Sequence, residues 1–186
     1  PKHVKAWTKR GSERMRKGDL DGASADCTRA LELDPKYAFA WNIRGNARAR
    51  KGDLEGGIAD FTRALELDPK LPEAWGNRGN ARSIKGDLDG AIADYTRAIE
   101  LDPKYVKAWT NRRSARTRKG DLDGAIADCT RALELAPKYA FAWNIRWIAR
   151  AGKGVSEGLI SAFTRALELH PTLPEACGSH GTARSH

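Results

Sequence analysis

Residues 74–103 read AWGNRGNARSIKGDLDGAIADYTRAIELDP, and this stretch decides the fold because the chain repeats it along its length. The tryptophan of the stretch returns every 34 residues, at Trp7, Trp41, Trp75, Trp109 and Trp143. The Lys-Gly-Asp-Leu and Thr-Arg-Ala-Leu-Glu-Leu segments return with it, with few changes. A constant period of this length predicts a protein built of stacked repeats.

Composition narrows the class of protein. The 186 residues carry a net charge of +9, and their apolar runs are short. We therefore expect neither a membrane span nor a signal peptide, and a soluble, cytoplasmic protein. Cys27, Cys129 and Cys177 form no close pair, which excludes a disulfide framework and a zinc ribbon. Cys27 and Cys129 occupy the column that holds Phe61 and Tyr95, so both thiols are expected in the core.

Each repeat is predicted to contain two helices, as the second repeat illustrates. Residues 40–50 and 55–67 are strong helix formers without proline, and the Lys-Gly-Asp between them supplies a helix stop and a cap. In the second helix Ile58, Phe61 and Leu65 have the spacing of a buried stripe, and Asp60 is expected to fall elsewhere. An Asp-Pro pair then ends the helix, since a residue before proline avoids helical geometry.

These landmarks resemble the tetratricopeptide repeat family, whose unit has the same length and the same Trp, Gly, small, aromatic, Ala and Pro positions. The resemblance covers nearly the whole chain, with units at 4–37, 38–71, 72–105, 106–139 and 140–173 and a lone first helix at 174–186. It implies one all-α domain over residues 1–186, a right-handed superhelical α-solenoid of about eleven helices. The resemblance is specific for fold and nearly silent on function, because the family has many roles.

A longer period lies over the first, since residues 1–84 align with residues 103–186 at an offset of three repeats. In the later copy Trp147 replaces Gly45 and Leu159 replaces Gly57. In the family, small residues at these columns let the paired helices approach closely, so we predict a distorted, weaker fifth repeat. The change has two interpretations: drift or imperfect design near a terminus, or a new apolar association surface formed by Trp147 and Leu159.

An arginine recurs in the first helices where many repeats of this family carry an apolar residue. It faces an aspartate column in the second helices, and we predict an ion pair inside each unit. In the fifth unit Ala162 removes the acid, which would leave Arg146 unpaired. The arginine column is Arg10, Arg44, Arg78, Arg112 and Arg146, and the aspartates are Asp26, Asp60, Asp94 and Asp128.

The resemblance also implies where a ligand would bind. In this family the first helices line a concave groove that holds extended peptides or helices, and this lining would be polar, Asn-rich and mildly basic, with Phe39 as an apolar anchor. Asn side chains both donate and accept hydrogen bonds, which suits a peptide backbone. The candidate groove residues are Phe39, Asn42, Asn46, Arg50, Asn77, Asn80, Lys107, Asn111 and Arg118, with Ala49 and Ile84 alongside.

Some members of the family grip a terminal carboxylate with a clamp of Lys, Asn and Arg side chains. Here Asn46, Asn77 and Lys107 match that pattern, whereas Asn42 and Asn111 stand where a Lys and an Arg would be. With two cations missing, the charge-assisted grip would be much weaker. The alternative is that these Asn side chains are simply solvated groove positions.

The positive charge makes nucleic acid a competing partner. Base readout is not expected, because the Trp column is assigned to the core and few aromatic side chains remain for stacking. Salt-sensitive, nonspecific binding remains an alternative. Much of the charge comes from arginines of the first helices, namely Arg14, Arg48, Arg82, Arg112, Arg113, Arg116, Arg118 and Arg150.

No residue set in the sequence has a plausible catalytic arrangement. His3, His170, His180 and His186 are scattered and lack the spacing of a helical metal site. We therefore expect no catalytic residues, no metal and no cofactor. The sequence predicts a non-catalytic scaffold or adaptor that binds an extended, acidic peptide. The alternative is a structural or self-assembling array, designed or reconstructed, that associates through its C-terminal end and has no specific ligand.

Overall fold

The computed structural model describes residues 2–136, and within this range the chain forms eight α-helices and no strand. First and second helices alternate, so the predicted fold of helix-turn-helix repeats is confirmed within this range. The fifth repeat and the lone helix at 174–186, which complete the predicted eleven helices, lie outside the described residues. The helices are α1 (Lys2–Arg16), α2 (Leu20–Leu33), α3 (Ala38–Arg50), α4 (Leu54–Leu67), α5 (Pro72–Lys85), α6 (Leu88–Leu101), α7 (Val106–Lys119) and α8 (Leu122–Leu135).

The chain divides into two compact units, residues 1–103 and residues 104–186. The first unit contains the hairpins α1–α2, α3–α4 and α5–α6, and within it α2 packs on α3 and α4 packs on α5. The described part of the second unit is the hairpin α7–α8. Each second helix of the first two repeats is thus shared between its own partner and the next first helix.

The Lys-Gly-Asp turn ends one helix and starts the next. Gly52 has a φ of +96°, a left-handed conformation that favours glycine. The Asp53 carboxylate then accepts a hydrogen bond from the Gly56 backbone N–H at 2.9 Å and so caps α4. At the other end of α4, Asp68 is extended before Pro69, as expected for a residue that precedes proline. The same turn and cap recur in the other described repeats.

Small apolar residues form the seams between hairpins. Ala30, Leu31 and Ala40 are buried where α2 meets α3, and Trp41 packs against them. The described tryptophans are partly buried and pack against the core clusters. The guanidinium carbon of Arg44 also lies 4.5 Å from the Trp41 ring centroid, so a cation contacts that ring as well as the apolar core. The other three described tryptophans carry the same arginine contact.

The paired helices approach closely in the second repeat because two glycines face each other. A Cβ atom built at Gly45 would lie 2.8 Å from Cε1 of Phe61 and 3.0 Å from the carbonyl oxygen of Gly57. A Cβ at Gly57 would lie 3.0 Å from Cβ of Ala49. The role predicted for the small residues is therefore confirmed here. Trp147 and Leu159, which replace them in the fifth repeat, lie outside the described residues.

The cysteine column has the predicted environment. Cys27 and Cys129 are 0% and 2% exposed, which confirms both as core thiols, and Cys177 lies outside the described residues. Burial, with the nearby Asp26 carboxylate, raises the pKa of the Cys27 thiol to about 12. Cys27 is therefore a neutral packing residue rather than a nucleophile.

Candidate functional site

The predicted Arg–Asp pairs are confirmed in the four described repeats. Arg44 donates from Nε and Nη2 to the two carboxylate oxygens of Asp60, both at 2.8 Å, and Arg48 Nη1 lies 3.0 Å from the same carboxylate. Asp60 is 2% exposed, so the expectation that it falls off the buried face is wrong. Two guanidinium groups make its burial tolerable. The equivalent pairs are Arg10–Asp26, Arg78–Asp94 and Arg112–Asp128, and Arg146 lies outside the described residues.

The second arginine of each set has a structural role as well. Arg48 lies between the buried Asp60 and the helix-capping Asp53, at 3.0 and 4.0 Å. Arg14, Arg82 and Arg116 repeat this arrangement. Much of the positive charge of the described first helices is therefore paired with internal carboxylates.

A pocket of about 240 Å³ lies between α3 and α5 in the first unit. Four of the nine predicted groove residues meet in it: Asn46, Arg50, Asn77 and Asn80. The remaining lining residues are Ala49, Phe61, Ala81 and Ile84. Sequence reasoning missed Phe61 and Ala81 because both belong to buried columns. One feature of the sequence could have indicated that Phe61 lines the pocket. Gly45 stands opposite Phe61 and has no side chain to cover the edge of its ring.

The polar side chains of the pocket differ in their own hydrogen bonding. Asn77 Nδ2 donates to Asn42 Oδ1 at 3.1 Å, and Asn42 is 7% exposed. Asn80 Oδ1 accepts from the Tyr95 hydroxyl at 2.8 Å. The Asn46 side chain makes no hydrogen bond within residues 2–136. Asn42 therefore lies behind Asn77 and accepts its hydrogen bond, whereas the Asn46 amide has no such partner in the described range.

Arg50 and Ile84 form the rim of the pocket. Arg50 is exposed and donates from Nη1 to the backbone carbonyl of Met15 in α1 at 3.2 Å. Ile84 is 70% exposed, the largest exposure among the large apolar side chains of the described residues. A cation and an aliphatic side chain thus flank an opening lined with amides.

The other predicted groove residues lie outside this pocket. Phe39, at the start of α3, is 46% exposed and packs edge-on against Tyr37 with ring centroids 6.5 Å apart. Lys107, Asn111 and Arg118 are on α7 of the second unit, where Lys107 and Arg118 are exposed and Asn111 is partly buried. The carboxylate clamp combines residues of both units and stays a prediction.

The described residues offer no metal centre, since no group of three or more His, Cys, Asp or Glu side chains between residues 2 and 136 could hold an ion. None of the helices in that range is both long and apolar enough to span a bilayer. The chemistry available at the pocket is hydrogen bonding from amides, one guanidinium charge and apolar contact.

Comparisons with known proteins agree with this architecture. Three family models, each described as a tetratricopeptide repeat, match residues 8–72, 72–105 and 106–139. Among curated protein sequences none matches the chain significantly.

Solved structures show the same fold. A crystal structure of MamA protein is 24% identical with a TM-score of 0.80, and the match covers 91% of this chain and 92% of that chain. YrrB, described as a TPR protein with an unusual peptide-binding site, is 21% identical with a TM-score of 0.79. That match covers 94% of this chain and 90% of the YrrB chain. The first TPR of Spaghetti (RPAP3), bound to the HSP90 peptide SRMEEVD, is 24% identical with a TM-score of 0.62, and covers 64% and 94%.

Proposed function

The chain belongs to the tetratricopeptide repeat family, and from that membership we propose that it is a non-catalytic scaffold whose first-helix groove binds an extended peptide. Two structurally similar proteins, YrrB and the first TPR of RPAP3, are described with a peptide-binding site and a bound peptide. Their similarity to this chain supports the fold alone, so the proposal depends on the residues that line this chain's own pocket.

The observation that carries the proposal is the composition of the pocket between α3 and α5. Its volume of about 240 Å³ is below the roughly 300–1,000 Å³ of pockets for drug-sized ligands, which favours one or two residues of a longer chain. Ile84, Ala49 and Ala81 would contact an apolar side chain. Asn46 would donate to and accept from the peptide backbone beside it.

Charge favours an acidic peptide. Arg50 keeps an exposed guanidinium at the rim of the pocket, where a carboxylate could pair with it. The arginines that pair with buried aspartates, such as Arg44 and Arg48, are engaged inside the hairpin. A local, single cation suits one carboxylate better than the regular phosphates of a nucleic acid, which require a continuous basic surface.

Fluorescence anisotropy of a labelled acidic peptide, compared with its C-terminally amidated twin at low and near-physiological salt, tests the proposal. Asn46→Ala and Arg50→Ala should each weaken binding several-fold, because each removes a group that faces the ligand. The Asn46 side chain makes no hydrogen bond to any other residue that the structure describes, so its removal should leave the fold intact. Arg63→Ala is the matched control, since Arg63 is an exposed arginine on α4 that pairs with Glu66.

The proposal predicts that the Arg63→Ala variant binds as the parent chain does. Equal binding by all three variants would place the peptide elsewhere. Weak binding of both peptides that disappears together with added salt would mean that the attraction is generic. That result would favour the alternative of a structural array without a specific ligand.

A further inference from the structure

Ile84, at the rim of the pocket, stands at a repeat position that otherwise holds arginine. Counting by 34 residues, the four described first helices carry Arg16, Arg50, Ile84 and Arg118 at this position. Because Ile84 is 70% exposed, it contributes little to the packing of its own hairpin. The chain thus exposes an aliphatic side chain where the other repeats have a charge.

The three members of this position in the first unit, Arg16, Arg50 and Ile84, are called the rim column here. They lie on α1, α3 and α5. Within this unit α1 contacts α3, and α3 contacts α5. Packed helices are about 8–10 Å apart, so successive members of the rim column are separated by about that distance.

Arg50 keeps donors that no other described group uses. Its Nη1 donates to the carbonyl oxygen of Met15 at 3.2 Å, which directs the guanidinium toward α1. Its Nε and Nη2 have no acceptor among residues 2–136. Arg44, by contrast, uses both of these nitrogens on the Asp60 carboxylate. The charge of Arg50 is therefore available to an acidic ligand.

Arg16 is a second exposed cation, one helix away from the pocket. Its side chain is 76% exposed and pairs with Glu13 on the same helix. Exposed pairs of this kind contribute little to stability, so a carboxylate of a ligand can replace Glu13 at small cost. Two exposed arginines and one exposed aliphatic side chain thus follow one another across three neighbouring helices.

We propose that the rim column binds a peptide that carries two acidic residues and one aliphatic residue at every third position. An extended peptide advances about 3.3 Å per residue, so three residues span about one step from helix to helix. The two carboxylates pair with Arg16 and Arg50, and the aliphatic side chain packs on Ile84. This inference rests on the function proposed for the groove and adds the sequence pattern of the partner.

Ile84 distinguishes this pattern from a merely acidic one. A column of arginines alone would suit a uniformly acidic peptide or the regular phosphates of a nucleic acid. A carboxylate placed against Ile84 is partly desolvated and gains no cation, which disfavours it. An aliphatic side chain at that point removes apolar surface from water on both molecules. The third position of the pattern is therefore aliphatic.

Fluorescence anisotropy at near-physiological salt tests the pattern with labelled peptides. The probe peptide contains Asp-x-x-Asp-x-x-Leu with Ser and Ala at the x positions, and its reversed sequence serves for the opposite chain direction. The control peptide has the same composition with the two Asp residues adjacent. All peptides are acetylated and amidated, so no terminal charge contributes. In its better direction the probe should bind about two- to fivefold more tightly than the control, because adjacent carboxylates cannot reach both arginines.

A substitution of the apolar residue gives a sharper test. Ile84→Arg makes the rim column arginine throughout, and circular dichroism verifies that this exposed substitution leaves the helices intact. The parent chain should prefer the probe over its Leu→Asp version by about threefold or more, and Ile84→Arg should reverse that preference. Ala59→Arg is the matched control, since it adds the same charge at an exposed position of α4 and should keep the parent's preference. Arg16→Ala should remove the advantage of the probe over the control peptide.

Two results would overturn the proposal. One is equal binding of the probe and the control peptide, and the other is an unchanged preference for Leu in Ile84→Arg. If Asn46→Ala still weakens the binding of all these peptides, the groove binds peptide and only the pattern is wrong. Absence of binding by every peptide up to about 1 mM, a level at which even very weak association is detectable, would instead refute the function proposed for the groove together with this inference.

Discussion

Removing one buried carboxylate should separate the cost of losing an ion pair from the cost of leaving its partner buried. Asp60→Ala takes away the acceptor of two 2.8 Å hydrogen bonds from Arg44. The Arg44 side chain is 12% exposed, so water can replace the carboxylate only in part. Removal of one partner from a buried pair costs about 3–5 kcal/mol, and we expect a loss in this range.

The chain contains its own matched comparison. Asp26 is buried to the same degree as Asp60, at 2% exposure, but its partner Arg10 is 52% exposed. Asp26→Ala should therefore destabilise the chain clearly less than Asp60→Ala, because water can solvate the released guanidinium. The double substitution Arg44→Met with Asp60→Leu should recover most of the loss, since the one arginine that still loses the carboxylate, Arg48, is 35% exposed and also faces Asp53.

Urea unfolding followed by far-UV circular dichroism gives the ranking of the variants. Because repeats can unfold separately, the midpoint is complemented by amide hydrogen exchange in α3 and α4. Equal losses for Asp60→Ala and Asp26→Ala would refute the reasoning, because they would show that exposure of the arginine does not decide the cost. A double variant as unstable as Asp60→Ala would refute it as well.

Three further predictions concern the packing of single repeats. The pKa of the Cys27 thiol is about 12 in the folded chain, against an ordinary value of 9.0. Above pH ~9 the unfolded chain therefore loses a proton that the folded chain keeps. The free energy of unfolding should then fall by about 1.4 kcal/mol per pH unit. Urea titrations at about pH 8 and 10 should show that fall in the parent and a smaller one in Cys27→Ala, and equal slopes would contradict it. Asp53→Ala should cost about 1 kcal/mol by thermal or urea unfolding through loss of the α4 cap, whereas Asp53→Asn should cost little. Gly45→Leu should lower the free energy of unfolding by about 1–3 kcal/mol. Its effect should not add to that of Phe61→Ala, because the two side chains compete for the same space. Strict additivity in a double-mutant cycle would argue against the contact.

The sequence predicts the helices well, because periodic landmarks and local turn chemistry determine them. The Lys-Gly-Asp turns fall where expected, between the first and second helix of each described repeat. The sequence could not show that Asp60 is buried, since carboxylates are usually exposed. Its burial depends on Arg44 and Arg48 reaching it from two successive turns of α3. The partly exposed Trp41 has the same origin, because Arg44 crosses its ring on the way to Asp60.

At the candidate site, the 34-residue period does not predict which asparagine side chains are buried and which face the pocket. Counting by 34 residues assigns Asn42 and Asn46 of α3 to the groove face, yet Asn42 is buried and accepts a hydrogen bond from Asn77 of α5. Which of two neighbouring positions points into the seam between repeats depends on the rotation of each helix about its axis. Packing across the seam determines this rotation, and a repeat period alone does not specify it. Asn46, one turn further along α3, consequently becomes the open amide.

The fourth repeat indicates how this architecture accepts a large residue in the glycine column. Arg113 stands where the second repeat has Gly45, and Cys129 stands where it has Phe61. Burial lowers the pKa of Arg113, and the nearby Cys129 and Asp128 oppose that shift. One large and one small residue have exchanged places, and the hairpin α7–α8 still forms.

The fifth repeat lacks this exchange. Trp147 enters the glycine column while Phe163 keeps the aromatic position, and Leu159 replaces a second small residue. In the second repeat a single Cβ at the equivalent of Trp147 would already lie 2.8 Å from the phenyl ring. Both partners of that contact are therefore large in the fifth repeat, and from the sequence we predict that its two helices do not pack as closely as α3 and α4 do. The prediction of a distorted fifth repeat follows from these distances. In the fourth repeat a small residue, Cys129, stands opposite the large Arg113, and the fifth repeat has no such small residue opposite Trp147.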